Sequence, residues 1–238
     1  MEAITKYKVC ILSAGVGSRM EHFSDTINKG ILPVNNKAVI SYVIEKFPQD
    51  VEIVIAVGHK KDTVVDYLTL AYPARAFTFV EVDKYVGPGS GPGYSLLACK
   101  KYLQCPFIFS TADTLVLEDI PAPLYNWMGI APVHETEPYC TVKIKNNLIY
   151  QLDTKIKTDN KFAFIGLAGV HDYKDFFLAL EHNKELRNNE LQMTDGFNGL
   201  LDKKLTPIGF TWFDTGTKSN YLETNKNFSG GEKAFDFS

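Results

Sequence analysis

The chain has 238 residues, 45% of them hydrophobic and 22% charged, enough for one large domain or a domain with a small appendage. A net charge of −3 excludes a general nucleic-acid binder, which carries a basic excess, and no apolar stretch reaches the ~20 residues of a membrane span. Met1 to Lys8 has no apolar core of a secretory signal, and Cys10, Cys99, Cys105 and Cys140 form no CxxC, so reduced cysteines in a cytoplasmic protein are expected.

The first half alternates apolar runs with helical patterns. Tyr7–Ser13 is a buried-strand candidate. It runs into Ser13-Ala14-Gly15-Val16-Gly17-Ser18-Arg19. Glycines there permit positive φ and close approach of a ligand, successive N–H groups can cradle phosphate oxygens, and an arginine adds a bidentate contact. The alternative is a tight turn with a surface arginine. Lys37–Phe47 has Val39, Ile40, Val43, Ile44 and Phe47 at helical spacing. Val51–Val57 is strand-like, Asp62 can cap a helix burying Val65 and Leu68, and Phe77–Val82 is a third strand. Tyr94–Leu103 is helical and Phe107–Ser110 a fourth strand. This alternation predicts βαβ units and a parallel sheet with helices on both faces.

The second half reads differently. Cys140–Lys145 and Leu148–Leu152 flank Asn146-Asn147, a two-residue hairpin turn. Phe162–Val170 is a strand, Asp172 can cap a helix with Phe176, Phe177 and Leu180, and Thr194 a shorter one through Leu201. Pro207–Phe213 reads as a strand and Thr217–Lys226 as a closing helix. The domain is expected over residues 1–226, followed by a polar tail, 227–238.

Ligands of a doubly wound sheet bind beyond the carboxyl ends of its strands. Those ends carry Ser13–Arg19, the glycine-rich Tyr85–Ser95, Asp113 and Asp214. Two carboxylates at such ends can share Mg²⁺, which prefers oxygen ligands and bridges to phosphates. Each also reads as a helix cap, Asp113 for residues 115–120 and Asp214 for the last helix. Lys29 can neutralise a transferring phosphoryl group, or be a solvated loop lysine. A dinucleotide site wants glycine or alanine where Met20 stands and an acidic residue where Val57-Gly58-His59 stands.

Leu12-Ser13-Ala14-Gly15-Val16-Gly17-Ser18-Arg19 resembles the signature of the sugar-phosphate nucleotidylyltransferases. So do Lys29-Gly30-Ile31-Leu32-Pro33-Val34, Gly91-Pro92-Gly93-Tyr94-Ser95, the position of Asp113, and Trp212-Phe213-Asp214-Thr215-Gly216-Thr217, in the family's order from residue 8 to about 225. Three departures stand out: Ser13 for the usual alanine, Gly30 for the proline after the lysine, and no proline in Glu21–Asn28.

The resemblance implies an α/β, Rossmann-like, doubly wound, mixed but mostly parallel sheet with helices on both faces and a small β-rich acceptor-binding subregion. It implies NMP transfer from an NTP to a phosphorylated small molecule, with Mg²⁺ and release of pyrophosphate. Arg19 and Lys29 would be catalytic and Asp113 and Asp214 would hold metal. Ser13, Ala14, Gly15, Gly17, Ser18, Arg19, Gly91, Gly93 and Ser95 would bind nucleotide, and Lys155, Gly166, Glu190 and Asp195 the acceptor. The acceptor is open between a sugar 1-phosphate and a phosphocholine-like compound. A nucleotide-binding regulator without catalysis is the rival reading. The tail suggests a linker to a missing C-terminal domain, kinase-like in some members.

Overall fold

The computed structural model describes residues 6–182 and 186–229. In chain order the elements are β1 (Lys8–Ser13), β2 (Pro33–Val34), β3 (Lys37–Ala38), α1 (Val39–Glu45), β4 (Ile53–Val57), α2 (Lys61–Ala71), β5 (Phe77–Glu81), α3 (Pro92–Cys99), β6 (Phe107–Thr111) and β7 (Thr114–Val116). Then come β8 (Trp127–Pro132), β9 (Cys140–Lys145), β10 (Leu148–Thr154), β11 (Phe162–Val170), α4 (Tyr173–His182), α5 (Thr194–Asn198), β12 (Thr206–Gly209), β13 (Trp212–Asp214) and α6 (Lys218–Asn227). Short 3₁₀ turns include Ser18–Ser24 and Lys29–Ile31.

One nine-stranded sheet organises the molecule. β5, β4, β1 and β6 lie side by side and parallel. β11 continues the sheet antiparallel to β6, and β8, β9 and β10 extend this antiparallel half, with β12 parallel to β8. The strands are apolar on both faces because both are covered. Val9, Ile11, Ile53, Ile55 and Ile108 point to a core shared with α1, α2 and α6. Their neighbours Cys10, Leu12, Val54, Ala56, Phe107 and Phe109 point the opposite way, to a core shared with α3, α4 and α5. Helices thus cover both faces, as the alternation predicts.

β11 joins the two halves. It pairs with β9 through Phe162 and Ala163 and with β6 through Leu167–Val170. Between them its register against β8 shifts at Phe164/Ala168, and Gly166 there has φ +78°. This left-handed residue bends the strand where the sheet opens.

Several local expectations change. Residues 115–120 form no helix: Leu115 and Val116 are buried in β7, which pairs with β13, so Asp113 caps nothing. The run 207–213 is two strands in different sheets, β12 on β8 and β13 on β7. Lys60, in the left-handed region, precedes α2, whose buried stripe is Val64 and Leu68. Thr217, not Asp214, caps α6, accepting from the Asn220 N–H at 3.2 Å. Trp127 is fully buried in β8, a strand outside the predicted set. Phe228, composed into the tail, is buried with its ring 5.0 Å from Tyr42 and 5.1 Å from Phe213. The rest of the tail, 230–238, and with it the linker expectation, lies outside the described residues. The four cysteines are free thiols. No helix of the described residues is long and apolar enough to cross a membrane.

Candidate active site

A cleft of about 610 Å³ opens at the carboxyl ends of the parallel strands. That suits a small-molecule site, typically ~300–1,000 Å³. Residues 14–19, Lys29, Asp113, Asp214 and Gly216 line one part. Tyr85–Gly87 and Ser90–Pro92 line a second, and Tyr139, Lys155, Phe164–Gly166, Glu190 and Gln192–Thr194 line a third.

The loop after β1 turns at Gly17, whose φ of +71° sits in the left-handed region. It then enters the 3₁₀ turn that carries Ser18 and exposed Arg19. Gly15 is exposed, and nothing lies within 4 Å of where its Cβ would be. Its glycine therefore leaves space above the chain rather than resolving a clash below it.

Asp113 and Asp214 are 101 positions apart and are joined by strand register. Asp214 pairs with Thr114, the residue after Asp113. Thr215 donates from its N–H and Oγ1 to the Asp113 carbonyl at 3.0 and 3.2 Å, closing the ribbon. The two side chains then converge over Gly216: a Cβ there would sit 2.8 Å from Asp113 Oδ2 and 3.0 Å from Asp214 Oδ1, with Arg19 Nη2 at 3.5 Å. Lys29 Nζ forms an ion pair with Asp113 Oδ2. The Gly216 N–H and Asn220 Nδ2 donate to Asp214 at 2.7 and 2.6 Å.

These surroundings set the two carboxyls apart. Burial works to raise Asp113, but the Lys29 charge and hydrogen bond, with smaller help from Thr111 and Arg19, hold it below the ordinary aspartate range. Burial, and next the Asp113 charge, push Asp214 up, against the donors Gly216 and Asn220. Both groups offer hard oxygens to one small space that only a glycine leaves open. Mg²⁺ fits such a pair, since it takes one or two carboxylates and completes its shell with water and phosphate. Among the described residues no group of three or more His, Cys, Asp or Glu could hold a metal.

The other expected residues fall in different places. Ala14 and Ser95 line the cleft. Ser13 lies beneath it, 2% exposed, with Oγ donating to Asn28 Oδ1 at 3.0 Å. Gly93 backs onto the neighbouring segment: a Cβ would meet the Leu191 and Gln192 carbonyls at 2.8 and 2.9 Å. Gly91, φ +114°, faces Glu190 as closely. Backbone bonds from Gly89 to Asn189, Leu191 to Ser90 and Gly93 to Leu191, at 2.8, 2.8 and 2.9 Å, join the two segments. Lys155 and Glu190 face each other at 3.6 Å on the cleft wall. Gly166 lies against Thr111, its Cβ position 2.7 Å from Thr111 Oγ1. Asp195 is buried, 3.4 Å from Arg187, and lies outside the cleft lining.

Sequence reasoning missed Asn28 and Asn220, which hold Lys29's turn and Asp214. It also missed Tyr139, whose ring lies 5.6 Å from Trp212 at the cleft. Asn28 precedes a short turn and could have been read as its cap; nothing in the pattern signals the other two.

Residues 9–125 match the family model of the MobA-like NTP transferase domain. That stretch, just under half of the chain, is similar to a MobA-like NTP transferase domain. The "Bifunctional protein GlmU" of Methanococcus vannielii is 26% identical over 92% of this chain and 54% of its own length. The chain spans about half the length of that relative and of the matching protein from Methanocaldococcus jannaschii, 53% of which is covered. The UTP–glucose-1-phosphate uridylyltransferase of Mycoplasma pneumoniae is 22% identical over 92% of this chain and 90% of its own. The chain shares its fold with UDP-glucose pyrophosphorylase complexed with UDP-glucose (TM-score 0.77, 22% identity, 92% of this chain and 97% of that one). It shares it also with CTP:phosphocholine cytidylyltransferase from Streptococcus pneumoniae (TM-score 0.73, 18% identity, 93% and 98%).

Proposed function

We propose that the domain transfers NMP from an NTP to a phosphorylated small molecule in a Mg²⁺-dependent reaction that releases pyrophosphate. The observation that carries this reading is the convergence of Asp113 and Asp214 over Gly216, beside Lys29 and at the foot of the Gly15–Arg19 loop. A sugar 1-phosphate is the acceptor favoured by the Mycoplasma relative, which resembles this chain across nearly its whole length. A phosphocholine-like acceptor is the second candidate.

An oxygen of the acceptor phosphate attacks the α-phosphorus; the new P–O bond forms as the α–β bond breaks, and its electron pair leaves with pyrophosphate. The acceptor phosphate is already an anion near neutral pH, so no enzyme nucleophile or general base is required. The chain's residues position the groups and stabilise charge. Backbone N–H groups of residues 15–18 receive the triphosphate over the open face of Gly15. Arg19 binds its outer phosphates. Lys29 exchanges Asp113 for an oxygen at the reacting phosphorus. Asp113 and Asp214 would hold Mg²⁺, which would supply positive charge to offset that on the phosphates. Tyr85–Gly87 and Ser90–Pro92 form the wall for the base, and Lys155, Glu190 and Gly166 the wall for the acceptor.

The test is pyrophosphate release with each of the four NTPs, Mg²⁺, and a panel of sugar 1-phosphates and phosphocholine. Release with one NTP–acceptor pair is expected. Tight nucleotide binding with no release from any pair would leave the regulator reading in its place.

A further inference from the structure

Two departures from the resembled pattern, Ser13 and Gly30, meet at one buried side chain. Asn28 is 1% exposed. Its Nδ2 donates to the Ser13 carbonyl at 2.8 Å and to the His59 carbonyl at 3.0 Å. Its Oδ1 accepts from Ser13 Oγ at 3.0 Å and from the Gly30 N–H at 2.9 Å. An amide offers two N–H donors and two lone pairs, so all four are used. The partners are the end of β1, the residue two past β4, and the turn that carries Lys29. One side chain therefore joins two sheet strands to the Lys29 turn.

The departures supply half of these bonds. An alanine at 13 has no hydroxyl, and a proline at 30 has no N–H. The Lys29 stem then runs past Gly17, whose Cβ position is 3.4 Å from Lys29 Cδ, to reach Asp113. With the preceding residue fixed in a saturated buried network and the stem confined, the ammonium has little freedom of placement. Partly satisfied networks of this kind are costly, since each orphaned buried group loses its water as well as its partner.

We propose that Asn28, with Ser13 and Gly30, is a positioning unit that sets where the Lys29 ammonium stands in the cleft. Its catalytic consequence rests on the reaction proposed above; its structural consequence does not. The loss of one member moves Lys29 and lowers turnover without weakening nucleotide binding.

The experiment uses Ser13→Ala, Asn28→Ala and Asn28→Asp, each in the native and the Lys29→Ala background. It reads kcat, KM for the nucleotide, Tm, and the rate at which trinitrobenzenesulfonate labels Lys29 without substrate, followed by peptide mass. Ser13→Ala is expected to lower kcat roughly 10-fold, as a sub-ångström displacement does. KM should stay within about 2-fold and Lys29 should label faster. In the Lys29→Ala background Ser13→Ala should lower kcat no further. Equal proportional losses in both backgrounds, or unchanged Lys29 labelling in folded variants, would overturn the proposal. If Asn28→Ala does not fold, Ser13→Ala decides the matter, because it removes a single bond. If no substrate pair reacts, the labelling arm still judges the positioning unit while the proposed reaction alone falls.

Discussion

Gly216→Ala is the sharpest single perturbation of the cleft. The added Cβ would sit 2.8 Å from Asp113 Oδ2 and 3.0 Å from Asp214 Oδ1, against an ordinary contact of 3.4 Å, so it falls short by about 0.6 and 0.4 Å. Its φ is outside the left-handed region, so the backbone accepts alanine and the effect is the methyl alone. Neither carboxylate can swing freely. Lys29 holds Asp113, and the Gly216 N–H and Asn220 hold Asp214. Overpacking of this size costs about 2 kcal/mol, or roughly 4–8 °C in Tm for a chain of this length. Pushing the two oxygens apart also displaces the groups proposed to hold metal, and turnover should fall about 100-fold. Gly15→Ala is the control: nothing lies within 4 Å of its Cβ, so Tm should be unchanged while NTP binding weakens. Thermal melting and pyrophosphate release measure both. Near-native turnover in Gly216→Ala would refute the claim that this point is where the carboxylates act together.

Three other outcomes are expected. Asp113→Asn and Asp214→Asn should each cost about 100-fold or more in turnover. Their Tm shifts should be opposite at neutral pH. The folded state holds Asp214 above its ordinary range, so ionising it costs stability once pH exceeds that raised value. Asp214→Asn should therefore raise Tm, a gain that fades as pH falls through that value. Asp113 is held low by Lys29, so its contribution is present above the ordinary aspartate range and fades as pH falls; Asp113→Asn should lower Tm. Shifts of the same sign would contradict this assignment. Lys29→Ala should reduce kcat more than nucleotide affinity, and Arg19→Ala the reverse; titration calorimetry beside steady-state kinetics separates them, and equal small effects would point to another phosphate site. Burial pushes the Cys140 thiol on the cleft wall up to about 11 from 9.0, leaving about 100-fold less thiolate at pH 8. Iodoacetamide should label it slowly, faster as pH rises, and rapid labelling at pH 8 would count against the raised value.

What the sequence discloses follows the range of the forces involved. β1, β4 and β6 are legible because strands covered on both faces must be apolar throughout, and the Gly15–Arg19 loop because backbone geometry there constrains residue type. β7 and β13 are three residues each and are defined only by pairing with one another across 95 intervening positions, so Leu115 and Val116 read locally as something else. β8 hides for a similar reason. Trp127 fits because Gly169 leaves it room, a Cβ there standing 2.0 Å from the indole nitrogen. That is a tertiary fact written in no local period. At the site, the individual residue types were legible. Their convergence was not, because it depends on the Thr114–Asp214 register.

The backbone bonds between residues 89–93 and 189–191 have a consequence for how such a site can change. Gly91 and Gly93 have no room for side chains against Glu190 and the Leu191 and Gln192 carbonyls. An insertion in either segment would break the pairing of the other. On the reading proposed above, one segment faces the base and the other the acceptor. The two substrate preferences are then inherited as a block, and a graft meant to alter one must carry both strands of the seam.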